Sequence, residues 1–119
     1  MPLSDSELWK RVKGLEGETI YTLKRRKANK ILSVDAHWVV IERRATKPSR
    51  EDIFSVYKYL RRAGEVTKED LLGGASILKH PYGKKVGSII KAILARVVPE
   101  EIEVIPETEG VTGIRLRKQ

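Results

Sequence analysis

The chain has 119 residues, of which 40% are hydrophobic, so one hydrophobic core is within reach, and 24 Lys and Arg against 16 Asp and Glu give a formal net charge of +8. The absence of cysteine excludes disulfides, thiol catalysis and cysteine-based zinc sites, and two histidines are too few for a His-rich metal site. The positive charge favours a polyanionic partner, nucleic acid above all.

The ends and the composition suggest where the protein works. The first residues, Met1–Asp5, lack the pattern of a signal peptide, and no apolar run is long enough to cross a membrane. We therefore expect a cytoplasmic protein without membrane contacts. A single Asn and a single Gln beside many Lys, Arg and Glu are typical of a thermophilic archaeon or bacterium.

The first half of the chain, residues 1–48, is predicted to be a helix followed by a three-stranded antiparallel meander. Ser4-Asp5-Ser6-Glu7 has the capping-box pattern that begins a helix. β-Branched and aromatic residues predict strands at Thr19–Leu23, Ile31–Val34 and His37–Arg43.

The connection from Lys24 to Lys30 is the densest concentration of charge in the chain. Its cations are Lys24, Arg25, Arg26, Lys27 and Lys30. One interpretation places the connection across a phosphate backbone. The alternative is a solvated hairpin tip whose lysines protect a sheet edge from stacking.

This half also carries a set of short motifs: Leu8-Trp9, Leu15-x-Gly17, Thr22-Leu23-x-Arg25, Asn29-x-Ile31 and Val39–Arg43. With them it resembles a small β module of uncharacterised bacterial and archaeal proteins, some of them near restriction-type nucleases. We assign no catalytic activity from this resemblance.

The second half, residues 49–119, is predicted to hold three helices and a β-hairpin, and could form one compact unit with the first half. Ser49 and Thr67 begin helices, Lys84 to Val97 is the longest periodic segment, and Ile102 to Arg117 alternates as a hairpin. The segment Ala63–Leu71 resembles the junction between the first two helices of the winged helix-turn-helix superfamily, over about residues 49–118. The long turn from Gly73 to Gly83 departs from that pattern.

The helix predicted from Lys84 to Val97, the third of the second half, resembles the recognition helix of a winged helix-turn-helix. Its apolar face carries Val86, Ile90, Ile93, Leu94 and Val97, and the opposite face carries Lys84, Gly87, Ser88, Lys91 and Ala95. The resemblance implies that this helix enters a major groove and that the hairpin is a wing on the backbone or minor groove. An ordinary amphipathic helix with a solvated lysine face is the alternative. Besides the cations of the first half, the predicted nucleic-acid contacts are Lys79, Tyr82, Lys84, Lys85, Ser88, Lys91, Arg115 and Arg117.

Carboxylates do not indicate an enzyme. Glu100, Glu101 and Glu103 are expected in a solvated turn, and Asp35 with Glu42 lacks the lysine that a metal-dependent nuclease site would need. We predict an α+β fold, no catalytic or metal site, no cofactor, and duplex DNA as the partner. An RNA-binding or ribosome-associated role and a protein-interaction module on the same scaffold remain alternatives, and homodimerisation stays open.

Overall fold

The computed structural model describes residues 2–42, 47–67, 70–71, 78 and 84–117, and at Lys84, Lys85 and Glu107 it describes the main chain. Within these residues lie three helices of defined bounds and two three-stranded antiparallel sheets. In chain order they are α1 (Asp5–Lys13), β1 (Thr19–Tyr21), β2 (Ala28–Val34), β3 (Val39–Ile41), α2 (Arg50–Ala63), β4 (Glu65–Thr67), α3 (Lys84–Val97), β5 (Ile102–Val104), a 3-10 turn (Glu107–Glu109) and β6 (Gly113–Leu116).

Local sequence sets where α1 and α2 begin and where α2 ends. The Ser4 hydroxyl accepts from the Glu7 N–H at 3.2 Å, and the Glu7 carboxylate accepts from the Ser4 N–H at 3.0 Å. The Ser49 hydroxyl accepts from the Asp52 N–H at 3.0 Å. Gly64 ends α2 with φ +90°, a left-handed conformation that favours glycine. The predicted helix starts at Ser4 and Ser49 are therefore confirmed.

The first sheet has the strand order β1–β2–β3, which confirms the predicted meander. Its middle strand begins at Ala28, three residues earlier than the sequence predicts, because Thr19 to Tyr21 pair with Lys30 to Ala28. Lys30 consequently lies inside a strand and not in the connection. The connection itself shortens to the residues between Tyr21 and Ala28.

The second sheet has the order β4–β6–β5. The sequence predicts its hairpin, but β4 was not expected. Three residues are too few to show a period, and the partner of Val66 is Ile114, distant in sequence. Both side chains are fully buried, so tertiary contacts form this strand.

A reciprocal cap follows β4. Asp70 Oδ2 accepts from the Thr67 N–H at 2.8 Å, and Thr67 Oγ1 accepts from the Asp70 N–H at 3.3 Å. Asp70 and Leu71 are helical, which confirms a helix start at Thr67. The remainder of the predicted short helix and the turn up to Gly83 lie outside the described residues.

The core is centred on α3, which contacts α1, α2, β1, β5 and β6. Buried side chains from both halves of the chain form one continuous hydrophobic cluster with it. The buried residues of α3 are Val86, Gly87, Ile89, Ile90, Lys91, Ala92, Ile93, Leu94 and Val97. The helix is thus enclosed on more sides than its apolar stripe predicts.

Candidate nucleic-acid interface

The basic loop, which we define as Lys24–Lys27, closes the hairpin between β1 and β2. Its four side chains are exposed. The Thr22 N–H donates to the Lys27 carbonyl and the Arg26 N–H donates to the Thr22 carbonyl, both at 3.0 Å. Arg26 takes a left-handed φ of 54°, which lets the chain reverse within so few residues.

Two buried polar residues fix the base of this loop. Thr22 Oγ1 accepts from the Lys27 N–H at 3.0 Å, and Asn29 Nδ2 donates to the Lys27 carbonyl at 2.9 Å. Thr22 is 9% exposed and Asn29, the one Asn of the sequence, is 4% exposed. Bonds in such a sheltered position hold the turn in one conformation. The loop therefore presents its cations on a preorganised main chain.

The loop adjoins the outer face of the first sheet, which we define as Thr19, Tyr21, Ala28, Lys30 and Leu32. Cross-strand pairing sets Tyr21 opposite Ala28 and Thr19 opposite Lys30, so these side chains share one face. Tyr21 is 51% exposed and Leu32 is 50% exposed. The guanidinium carbon of Arg26 lies 5.9 Å from the Tyr21 ring centroid, within cation–π range.

Charge distribution distinguishes this region from the rest of the described surface. Between Thr19 and Val34 the sequence has five basic residues and no acidic one. Among the residues that the structure describes, no carboxylate forms an ion pair with any of these five. Several arginines elsewhere do form them: Arg11 with Glu100, Arg50 with Asp5, Arg61 with Glu101 and Arg96 with Glu18. Within the described residues, the positive charge of the basic loop and outer face is therefore not compensated by an ion pair.

The prediction that Lys91 lies on the outward face of α3 is wrong, because this residue is 2% exposed. Ile90 is buried as predicted. Gly87 is buried as well, and a Cβ there would lie 3.0 Å from Leu71 Cδ1, so its small size serves packing. Ser88 is half-buried. The cause is tertiary: Leu71 packs against Gly87, and β1 and α1 also contact this helix. The middle of α3 therefore does not offer a groove-reading surface.

The hairpin arginines are engaged within the protein. Arg115 pairs with Glu103 and Glu109, both at 2.9 Å. These carboxylates raise the pKa of Arg115 by hydrogen bonding to its guanidinium, Glu103 most strongly. Arg117 Nε donates to the Pro99 carbonyl at 2.6 Å, and its Nη1 lies 3.9 Å from Glu103 Oε1. A phosphate would have to compete with these partners.

The remaining predicted contacts divide in two groups. Lys84 and Lys85 lie in the first turn of α3, where the structure describes the main chain. Lys79 and Tyr82 lie outside the described residues.

Glu101 and Asp35, two of the carboxylates expected to have no catalytic role, have structural partners. Glu101 accepts from the Tyr57 hydroxyl at 3.0 Å and from Arg61 at 2.9 Å. Asp35 accepts from the His37 and Trp38 N–H groups at 2.7 and 2.8 Å, and these bonds, with His37 first, lower its pKa. Within the described part of the chain, no group of three or more His, Asp or Glu side chains could hold a metal ion.

A cleft of about 610 Å³ opens on another side of the molecule. It lies between the start of α1, the β2–β3 turn and the first turns of α2. Its lining is mixed in charge, with Asp5, Glu51, Arg50 and Lys58 beside Phe54 and Trp38. No single ligand chemistry follows from that mixture.

Tyr21 and Leu32 are the candidate interface residues that sequence reasoning missed. Both stood in predicted strands, where aromatic and aliphatic side chains ordinarily count toward the core. The available signal was alternation: in β2 the pattern Ala28, Lys30, Leu32 places Leu32 on the face of an exposed lysine.

Comparisons with protein-family models, with curated proteins and with solved structures find no match to this chain. None of the helices among the described residues has the length and apolar character needed to cross a membrane.

Proposed function

We propose that this protein binds nucleic acid through the basic loop and the adjoining outer face of the first sheet. The observation that carries the proposal is the group of five exposed cations, Lys24, Arg25, Arg26, Lys27 and Lys30, which no described carboxylate neutralises. Cations in this state bind phosphates and release the counterions condensed on the nucleic acid. Because the loop is already ordered by Thr22 and Asn29, less entropy is lost on binding.

The second half of the chain supports an interpretation as a winged helix-turn-helix. A helix, a Thr-capped helix start, a longer helix and a hairpin follow one another in that order, as the superfamily resemblance implies. We do not propose that α3 inserts into a major groove, because Gly87 and Lys91 are buried in the middle of this helix. In this interpretation the winged-helix half supports the fold, and the first half supplies the cations.

The first test is the salt dependence of binding. We expect the logarithm of the association constant for a labelled oligonucleotide to fall with the logarithm of salt concentration, with a slope of roughly −3 to −5 for about five phosphate contacts. Fluorescence anisotropy over a KCl series measures this slope. A slope near zero would contradict the proposal.

A pair of charge reversals then locates the interface. In Lys24→Glu/Arg25→Glu the positive loop becomes negative, and affinity should fall at least about tenfold, equivalent to roughly 1.4 kcal/mol. The matched control is Lys10→Glu/Lys13→Glu, which changes the net charge equally on exposed positions of α1. The control should change affinity less than about threefold, since neither residue belongs to the basic loop or to the outer face. Equal losses in both variants would show a diffuse charge effect and no site at the loop.

A further inference from the structure

The outer face of the first sheet carries an aromatic ring whose exposure the core does not explain. Tyr21 is half exposed, with the guanidinium carbon of Arg26 over its ring at 5.9 Å from the centroid, and Leu32 on the same face is equally exposed. We propose that this face binds single-stranded nucleic acid, with an unpaired base stacked on Tyr21 and the adjacent phosphates held by Lys30 and the basic loop. This inference rests on the proposed function.

The chemistry of the face selects an unpaired base. An aromatic ring bordered by cations attracts a flat π system with a phosphate on each side, and every base has such a face. In a duplex the bases are stacked on one another and cannot reach a side chain on a sheet. Cations alone would serve duplex and single strand alike, whereas the exposed ring adds binding free energy for the single strand.

The dimensions of the face suit a short stretch of strand. Ala28, Lys30 and Leu32 follow one another at every second position of β2, so the face runs about 14 Å from the position beside Tyr21 to Leu32. The pairing register of β2 with β3 shifts between Ile31 and Ser33, which places Leu32 at a bulge. Two or three nucleotides would therefore cross from the loop over Tyr21 and Lys30 toward Leu32.

One acidic residue borders this path. Ile31 pairs with Ile41 and the Glu42 N–H donates to the Lys30 carbonyl at 2.9 Å, so the exposed Glu42 adjoins Lys30 across the strands. No ion pair joins the two side chains among the described contacts. The carboxylate limits the positive surface on the β3 side and directs a strand toward the basic loop. Removing its charge with Glu42→Gln should strengthen single-strand binding about two- to threefold.

The test compares Tyr21 variants of the full chain on two kinds of probe, single-stranded and duplex. The probes are fluorescein-labelled single strands, oligo(dT) and oligo(U) of twelve nucleotides, and a duplex of equal length, all at one salt concentration. Tyr21→Ala should weaken single-strand binding at least about fivefold and change duplex binding less than twofold. Tyr21→Phe keeps the ring and should retain parental affinity for both probes. Thermal unfolding of each variant verifies that the fold is intact.

The outcomes separate this inference from the proposed function. If Tyr21→Ala weakens single-strand and duplex binding equally, or if Tyr21→Phe behaves like Tyr21→Ala, stacking is overturned. If Tyr21→Ala binds like the parent while Lys24→Glu/Arg25→Glu loses affinity for both probes, the proposed function stands and the stacking inference fails. If the loop reversal changes neither probe, the proposed function fails as well. A parental protein that prefers the duplex to both single strands also overturns the inference.

Discussion

At the scale of single residues, Lys91 shows that a charged side chain can lie in the interior of this protein. It lies in the middle of α3 with 2% of its surface exposed. A lysine stem of four methylenes can pack among apolar neighbours, and its ammonium group must be compensated in such a place. Lys91 therefore belongs to the packed interior, although its type and its helical position suggested a phosphate contact.

Truncation of this side chain provides the first stability prediction. Lys91→Ala should lower the free energy of unfolding by roughly 2–4 kcal/mol, because it removes a buried stem and leaves a cavity. Lys13→Ala, on the exposed side of α1, should change it by less than about 0.5 kcal/mol. Urea unfolding measures both values. If α3 were instead an exposed recognition helix, Lys91→Ala would keep the stability of the parent and bind nucleic acid more weakly.

At the scale of elements, the second sheet depends on a close approach of two main chains. At Gly113 a Cβ would lie 2.2 Å from the Val66 carbonyl oxygen and 2.9 Å from Thr67 Cα, and neither backbone atom can move independently of β4. The absence of a side chain at this position allows β6 to pair with the strand that follows α2. The hairpin and α2 are connected through this contact.

Substitution at that glycine should separate the two strands. Gly113→Ala is expected to cost roughly 3 kcal/mol of unfolding free energy, since the added methyl group overpacks against main chain. Gly14→Ala is the matched control: its φ of −65° suits alanine, and its Cβ would meet the Arg11 carbonyl at 3.2 Å, so a small shift suffices. Comparable thermal unfolding of the two variants would contradict the assigned register of β4 and β6.

At the scale of the whole molecule, Tyr57 connects three distant parts of the chain. Its ring is buried on α2, and its hydroxyl accepts from the Leu3 N–H at 2.9 Å and donates to Glu101 at 3.0 Å. Burial, first of all, raises the pKa of this phenol above its ordinary value of 10.0, and the hydrogen bond to Glu101 raises it further, while the Leu3 N–H acts in the opposite direction. The folded state thus favours the neutral phenol.

The raised pKa predicts a loss of stability in alkali. The contribution of the neutral phenol is complete below pH 10, where unfolded tyrosine is also protonated. It declines as the pH rises above 10 toward the higher pKa of the folded state, because the unfolded chain then releases its proton first. Tyr57→Phe should be less stable than the parent at pH 7, and the difference should narrow above pH 10. A difference that stays constant up to pH 11 in urea unfolding would contradict this assignment.

The sequence alone determined the features that depend on residues close together in the chain. Helix starts at Ser4, Ser49 and Thr67 follow from side-chain oxygens that reach main-chain N–H groups three residues away, and the stop at Gly64 follows from the left-handed conformation that glycine tolerates. Runs of β-branched and aromatic residues predicted the meander, and the charge of the basic loop is a property of composition.

Tertiary structure decided which surfaces face water. A helical period identifies the apolar side of α3 but carries no information on whether another element covers the opposite side, so Gly87 and Lys91 were assigned to solvent. The same limit applies to β4, whose partner β6 lies far along the chain, and to Tyr21, whose ring looks like core material in the sequence and lies half exposed beside Arg26. Burial depends on contacts between segments distant in sequence, and local patterns do not contain those contacts.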